Sequence, residues 1–237
     1  MTMINKKIGG LLMSDQRARL QPKDIAKAQS ILGPHSTDNL LYPLYSTNGV
    51  LFPYTPSIST GSVAEYDSTP FVHTNYNYNA YVRSYPKPIS IQAEFTAQSN
   101  DEALYLLAVI HFFRSVTKSY FGVTPYNKAG TAPPTLLFSY LGEYQFNNVP
   151  VIIKSFEYTL AKNIDYVAID TTGTKSIYSE NIGTTLPAAN YNGNTWVPTH
   201  VDVQLELETQ YIPIQLRNQF NLDDFRRGYL VTQKGYI

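Results

Sequence analysis

Ile89, Ile91, Ala93 and Phe95 alternate with Ser90, Gln92, Glu94 and Thr96, the period of two that a strand shows when one face is buried and the other meets water. The period then changes. Ser99 stands three residues before Glu102, a capping box in which hydroxyl and carboxylate reciprocally satisfy backbone donors at a helix start, and Asp101 adds favourable charge there. A helix is therefore predicted from about Asn100. Ala103, Leu104, Leu106, Leu107, Ala108, Ile110, Phe112, Phe113 and Val116 leave it few polar positions, so it needs more cover than one sheet face provides, from the same chain or from another subunit. Leu104, Leu107, Ile110 and Phe113 recur at helical spacing. They are expected to pack on an apolar sheet face formed by Ile91, Phe95, Val203 and Leu205.

A second clean alternation lies near the C-terminus, where Val201, Val203, Leu205 and Leu207 interleave with Asp202, Gln204, Glu206 and Glu208 inside a strand predicted over residues 197–211. Further strands are predicted over residues 49–54, 73–82, 135–141 and 149–160, the last two joined by a hairpin-like connection. A short, weakly amphipathic helix is predicted over residues 22–32, with Pro22 at its start and Gly33-Pro34 at its end. Residues 121–134 and 170–195 carry the Gly, Pro, Thr and Asn of loops. The expected class is mainly β with one long helix, an α+β chain with long loops. Residues 1–45 are expected to form an N-terminal arm and residues 46–237 one β domain with a C-terminal tail.

Composition narrows the chemistry. Formal net charge is zero and the sequence pI is about 6.9, so there is no basic footprint of the kind that binds nucleic acid through phosphate neutralisation. The absence of cysteine removes disulfide staples, thiolate catalysis and thiolate metal ligation. Charged residues are 15% of the chain, against about 25% in an ordinary soluble domain, a surface suited to burial in a larger assembly. The N-terminal apolar patch is broken by Gly9-Gly10 and is not expected to act as a signal peptide, and no run reaches membrane-spanning length. His35, His73, His111 and His200 are scattered with no metal-ligand spacing, and no phosphate-cradling glycine loop or nucleophile elbow is present. Asp223-Asp224 is followed by Phe225, Arg226 and Arg227, which predicts local ion pairing. No catalytic, cofactor-binding or metal-binding residue is expected, and the chain is read as a non-enzyme. The 20 tyrosines point to interfaces, with a sugar-stacking face on NYNYNAY as the competing reading.

The series formed by the strand at residues 88–96, the SNDEA helix running to KSYFG, TAPPTLLFSYLGEYQFNNVPVIIKSFEYTL, NIDYVAI and WVPTHVDVQLELETQYIP resembles the baseplate tail-tube initiator proteins of contractile-tailed bacteriophages, and more distantly the tail-tube family. The likeness covers about residues 88–169 and 196–213. Residues 37–85 and 171–195 fall outside it. The resemblance implies a β-barrel or sandwich flanked by the long helix, assembled in the virion as a hexameric ring. In such rings the subunits' strands join into one inner barrel around the channel through which the genome passes. Neighbouring tube and baseplate hub proteins are the implied partners, DNA passes without specific binding, and no cofactor or membrane insertion is implied. On such a wall Gln92, Glu94, Asp202, Gln204, Glu206 and Glu208 would face the lumen, where carboxylates repel phosphate and let DNA slide. An ordinary solvated face is the alternative for the same residues. Alternatives for the whole chain are another tail-tube or hub subunit and a carbohydrate-binding β-domain.

Overall fold

The computed structural model describes residues 7–8, 11–12, 15–23, 28–37, 39–122, 129–169 and 195–237. Its centre is a seven-stranded antiparallel sheet. In chain order after a minimal β1–β2 pair (Lys7–Ile8 and Leu11–Leu12), its strands begin with β3 (Arg19–Pro22), β4 (Val50–Leu51) and β5 (Ser57–Ser59). Strands β6 (Ser62–Thr69) and β7 (Tyr78–Pro86) form a separate ribbon. The sheet resumes with β8 (Ile89–Thr96), β9 (Leu136–Tyr140) and β10 (Phe146–Leu160), a hairpin of β11 (Tyr166–Ile169) and β12 (Thr195–Pro198) follows, and β13 (His200–Thr209) completes it. The order across the sheet is β4-β3-β9-β10-β13-β8-β5.

Alternation sets which face is buried. Val201, Val203, Leu205 and Leu207 stand opposite Phe95, Ala93, Ile91 and Ile89, and all eight are buried. On the other side of β13, Ile153, Phe156 and Tyr158 continue this apolar face opposite Leu207, Leu205 and Val203. Helix α2 (Asn100–Val116) lies on it, with Phe113 and Phe156 rings 5.0 Å apart. Its start is the expected one: Ser99 Oγ accepts from the Glu102 amide at 3.3 Å, and Glu102 Oε2 accepts from the Gln98 amide at 2.9 Å. The helix is also tied to the sheet's end, since the Leu51 amide donates to the Tyr105 hydroxyl at 2.8 Å. Ile169 and Val197 of the β11–β12 hairpin are buried in the same core.

The N-terminal residues share this core. Helix α1 (Ala28–Leu32) and the 3-10 turn Tyr42–Thr47 bury Leu32 and Leu44, while β3 pairs with both β4 and β9. Of the helix predicted over residues 22–32, Ala28–Leu32 is helical and Pro22 ends a strand, while residues 24–27 lie outside the described ones. Gly49 is required where β4 approaches β3: at φ +129 a Cβ there would stand 2.3 Å from the Leu20 carbonyl oxygen.

The sheet is open. Its end strands β4 and β5 have two and three residues and do not pair with each other, so among the described residues no barrel closes within one chain. Nor is the apolar face covered by a second large sheet, as in a sandwich; α2 and the small β11–β12 hairpin cover it. Beyond β13 the chain turns through α3 (Pro213–Gln219), α4 (Leu222–Arg226) and α5 (Tyr229–Lys234) and returns to β10. Tyr211 and Tyr236 stack 4.7 Å apart, and the Tyr211 hydroxyl donates to the Gly235 carbonyl at 2.9 Å, which clasps the two ends of this segment together.

Candidate functional site

The face of the sheet opposite α2 carries the expected polar row, and register brings it together. Gln92 stands opposite Gln204, Glu94 opposite Asp202, and Ser90 opposite Glu206. Gln92, Glu94, Gln204 and Glu208 are exposed, and Asp202 and Glu206 are half-buried. All six residues therefore lie on one surface of two paired strands. Glu94 and Asp202 are like charges directly opposite, an arrangement that lowers sheet stability. Sheet stability alone does not explain it.

Strand β10 extends this surface. Ser155, Glu157 and Thr159 stand opposite Glu206, Gln204 and Asp202, so the polar face is three strands wide. Their alternation with Phe156, Tyr158 and Leu160 was visible in the sequence, and it was the signal available for adding them. Between Ile153 and Ser155 the register shifts by one residue, a bulge that leaves Lys154 as the extra residue. Its Nζ reaches Glu206 Oε1 at 3.1 Å. His200 Nε2 lies 3.2 Å from Asp202 Oδ1. Among the described residues this surface thus brings together the carboxylates of Glu94, Glu157, Asp202, Glu206 and Glu208, with Lys154 and His200 beside them.

On α2, Ile110 and Phe113 are buried as expected. Leu104 and Leu107 are only partly buried and pack at the margin of the core. Ala103, Leu106, Val109, Phe112 and Val116 are the fully covered positions beside them, so the buried stripe is centred one position away from the predicted one. The cause is cover on more than one side: the sheet takes one flank of the helix, while the 3-10 turn and the β11–β12 hairpin take others.

Other titratable groups are held in local structure. His35 packs on the rings of Tyr42 and Tyr45, with centroids 5.2 and 4.5 Å away. Arg226 donates to Asp223 at 3.4 Å, the local pairing expected for that run. Arg17 donates to Asp15 Oδ2 at 2.7 Å and to Oδ1 at 3.0 Å, and this hydrogen bonding holds the Asp15 carboxyl below its ordinary range. The pair borders an open cleft of about 480 Å³ that also meets Arg19, Ser139 and Glu143. A second open cleft, of about 240 Å³, lies between α5 and β10. Among the described residues no three His, Asp or Glu side chains are grouped to hold a metal, and no helix is long and apolar enough to cross a membrane. No protein-family model matches the chain, and no curated protein matches it.

Proposed function

We propose that this chain is a virion structural protein of a contractile-tailed phage, a subunit of a six-membered ring at the baseplate end of the tail tube. In this reading the ring nucleates or continues the tube, lines the DNA channel, contacts tube and hub proteins at its two ends, and acts without catalysis or cofactor. One observation carries it: an open, one-sided sheet whose apolar face is filled by the chain's own helix, while its uncovered face is rich in carboxylates across three adjoining strands. Such a face needs no partner to satisfy it, and it repels phosphate. The sheet's edges do need partners. The second half of β10, residues 152–160, pairs with β13 on one side and with no strand on the other among the described residues. Six copies of the stretch β10-β13-β8-β5, at about 4.8 Å between strands, would close a ring roughly 37 Å across before strand tilt widens it. That span leaves room for a duplex with side chains on the wall.

End-on imaging of assembled particles, together with analytical ultracentrifugation of the chain at high concentration, tests the proposal. A closed ring with a central pore is the expected result. A compact monomer in both measurements overturns it. Copy number per particle separates a single initiator ring from a bulk tube subunit, which would be present many times over.

A further inference from the structure

The β6–β7 ribbon is the part of the chain least accounted for by its own packing. Eight residues of strand, rising about 3.3 Å each, make it roughly 26 Å long. None of its residues is buried. Two-stranded ribbons are marginal in water unless something packs against them. This one exposes Tyr66, Phe71, Tyr76, Tyr78, Tyr81 and Tyr85 at between 41% and 86%. Pairing divides these rings between two faces, Tyr66 and Tyr81 on one and Tyr78 and Tyr85 on the other, so at about 200 Å² for each aromatic side chain the exposed parts of Tyr66 and Tyr81 give one face roughly 230 Å² of aromatic surface. Tyr66 and Tyr81 form its centre, directly opposite in register with rings 5.7 Å apart. Charge is sparse: Glu65 is paired with Arg83, which leaves Asp67 and a net charge of minus one.

A second uncovered apolar surface lies on the C-terminal helices. Helix α3 buries none of its residues, and Ile212, Ile214, Leu216, Phe220, Leu222 and Tyr229 are between 38% and 66% exposed. The charged residues of this stretch are Arg217, Arg226 and Arg227 against Asp223 and Asp224, a net charge of plus one. Two unlike apolar patches of opposite residual charge on one chain suit a head-to-tail contact, in which each copy offers one patch to each neighbour. An isologous dimer would need each patch to match itself.

From these two surfaces we infer that the β6–β7 ribbon of one copy seats on the C-terminal helical face of the next, with Tyr66 and Tyr81 as its anchors. The inference rests on the ring reading and names the contact between neighbours. Two full-length variants separate the surfaces: Tyr66→Thr with Tyr81→Thr on the ribbon, and Ile214→Ser with Leu216→Ser on the helical face. All four side chains are exposed and threonine keeps strand propensity, so both variants retain the parental circular dichroism and melting temperature. Tyr76→Ser, at the ribbon tip, replaces the first pair if strand pairing is disturbed. In sedimentation velocity over a concentration series, the parental chain associates and each variant alone is weakened at least tenfold. An equimolar mixture of the two recovers a one-to-one dimer, because it contains one intact ribbon and one intact face that can meet. Parental rings that persist unchanged in either variant overturn this contact and leave the ring reading in place. Variants that are each monomeric yet fail to dimerise when mixed overturn the pairing of ribbon with face. A parental chain that stays monomeric in solution and in particles overturns both.

Discussion

Leu106 shows how much a single position contributes. It is 1% exposed on the helix surface that faces the core, so Leu106→Asp removes its apolar contacts and buries a carboxylate in a hydrophobic cluster. A loss of about 4 kcal/mol or more is expected, read as failure to give soluble, cooperatively melting protein. The half-buried Leu107 should tolerate the same change better. Tyr211 gives a prediction in pH. Burial pushes its hydroxyl up to about 12, so the folded state keeps the proton that the unfolded chain releases near pH 10. The stabilisation is fully present below pH 10 and is lost as pH rises through about 12. Tyr211→Phe should flatten that alkaline limb in thermal melts, while costing about 1 kcal/mol at neutral pH for the lost bond to Gly235. An unchanged alkaline limb would place the titrating group elsewhere.

Helix α2 and strands β8 and β13 were the most legible elements, because each has an unbroken period and, for α2, a capping box that marks its first turn. The cap is testable in isolation: Ser99→Ala should lower stability by about 1 kcal/mol in denaturant melts with no change in slope, since the partner amide of Glu102 is exposed and turns to water. Less was legible where the physics is not local. Strands β3 and β5 are four and three residues long and exist because neighbours pair with them, which no periodicity records, whereas the two-residue β4 falls within the strand predicted over residues 49–54. Of the ribbon at residues 62–86, β7 overlaps the strand predicted over residues 73–82, whereas β6 was not read, because a strand exposed on both faces has no apolar alternation to read. Thr199 interrupts what reads as one strand over residues 197–211; its amide donates to Asp165 and its carbonyl accepts from Ala97, so the chain changes partners there. The α3–α5 segment escaped notice because its helices are five to seven residues long and α3 has no buried stripe. In the polar surface, two strands could be read from the sequence, whereas the bulge that delivers Lys154 depends on pairing.

At the scale of the whole molecule, the reading as a channel wall makes a demand on charge. Glu206→Lys with Glu208→Lys places two cations per subunit where two carboxylates stood, and ring symmetry multiplies them, so attraction for phosphate should rise steeply at low salt. Tails of normal appearance that eject DNA slowly or incompletely are expected, with partial recovery in added salt as screening weakens the attraction. Ejection at the parental rate, or rings that fail to form, would remove this strand from the lumen. Strand β10 makes a different demand. Its first half pairs with β9 and its second half with β13, and among the described residues only Val151 has strand partners on both sides. In the isolated chain, alternate amides over residues 155–160 point away from β13 and should exchange with deuterated solvent far faster than those of β13, which is paired on both sides. In an assembled ring the same amides should become slow, making this half-strand a gauge of assembly that is read proton by proton.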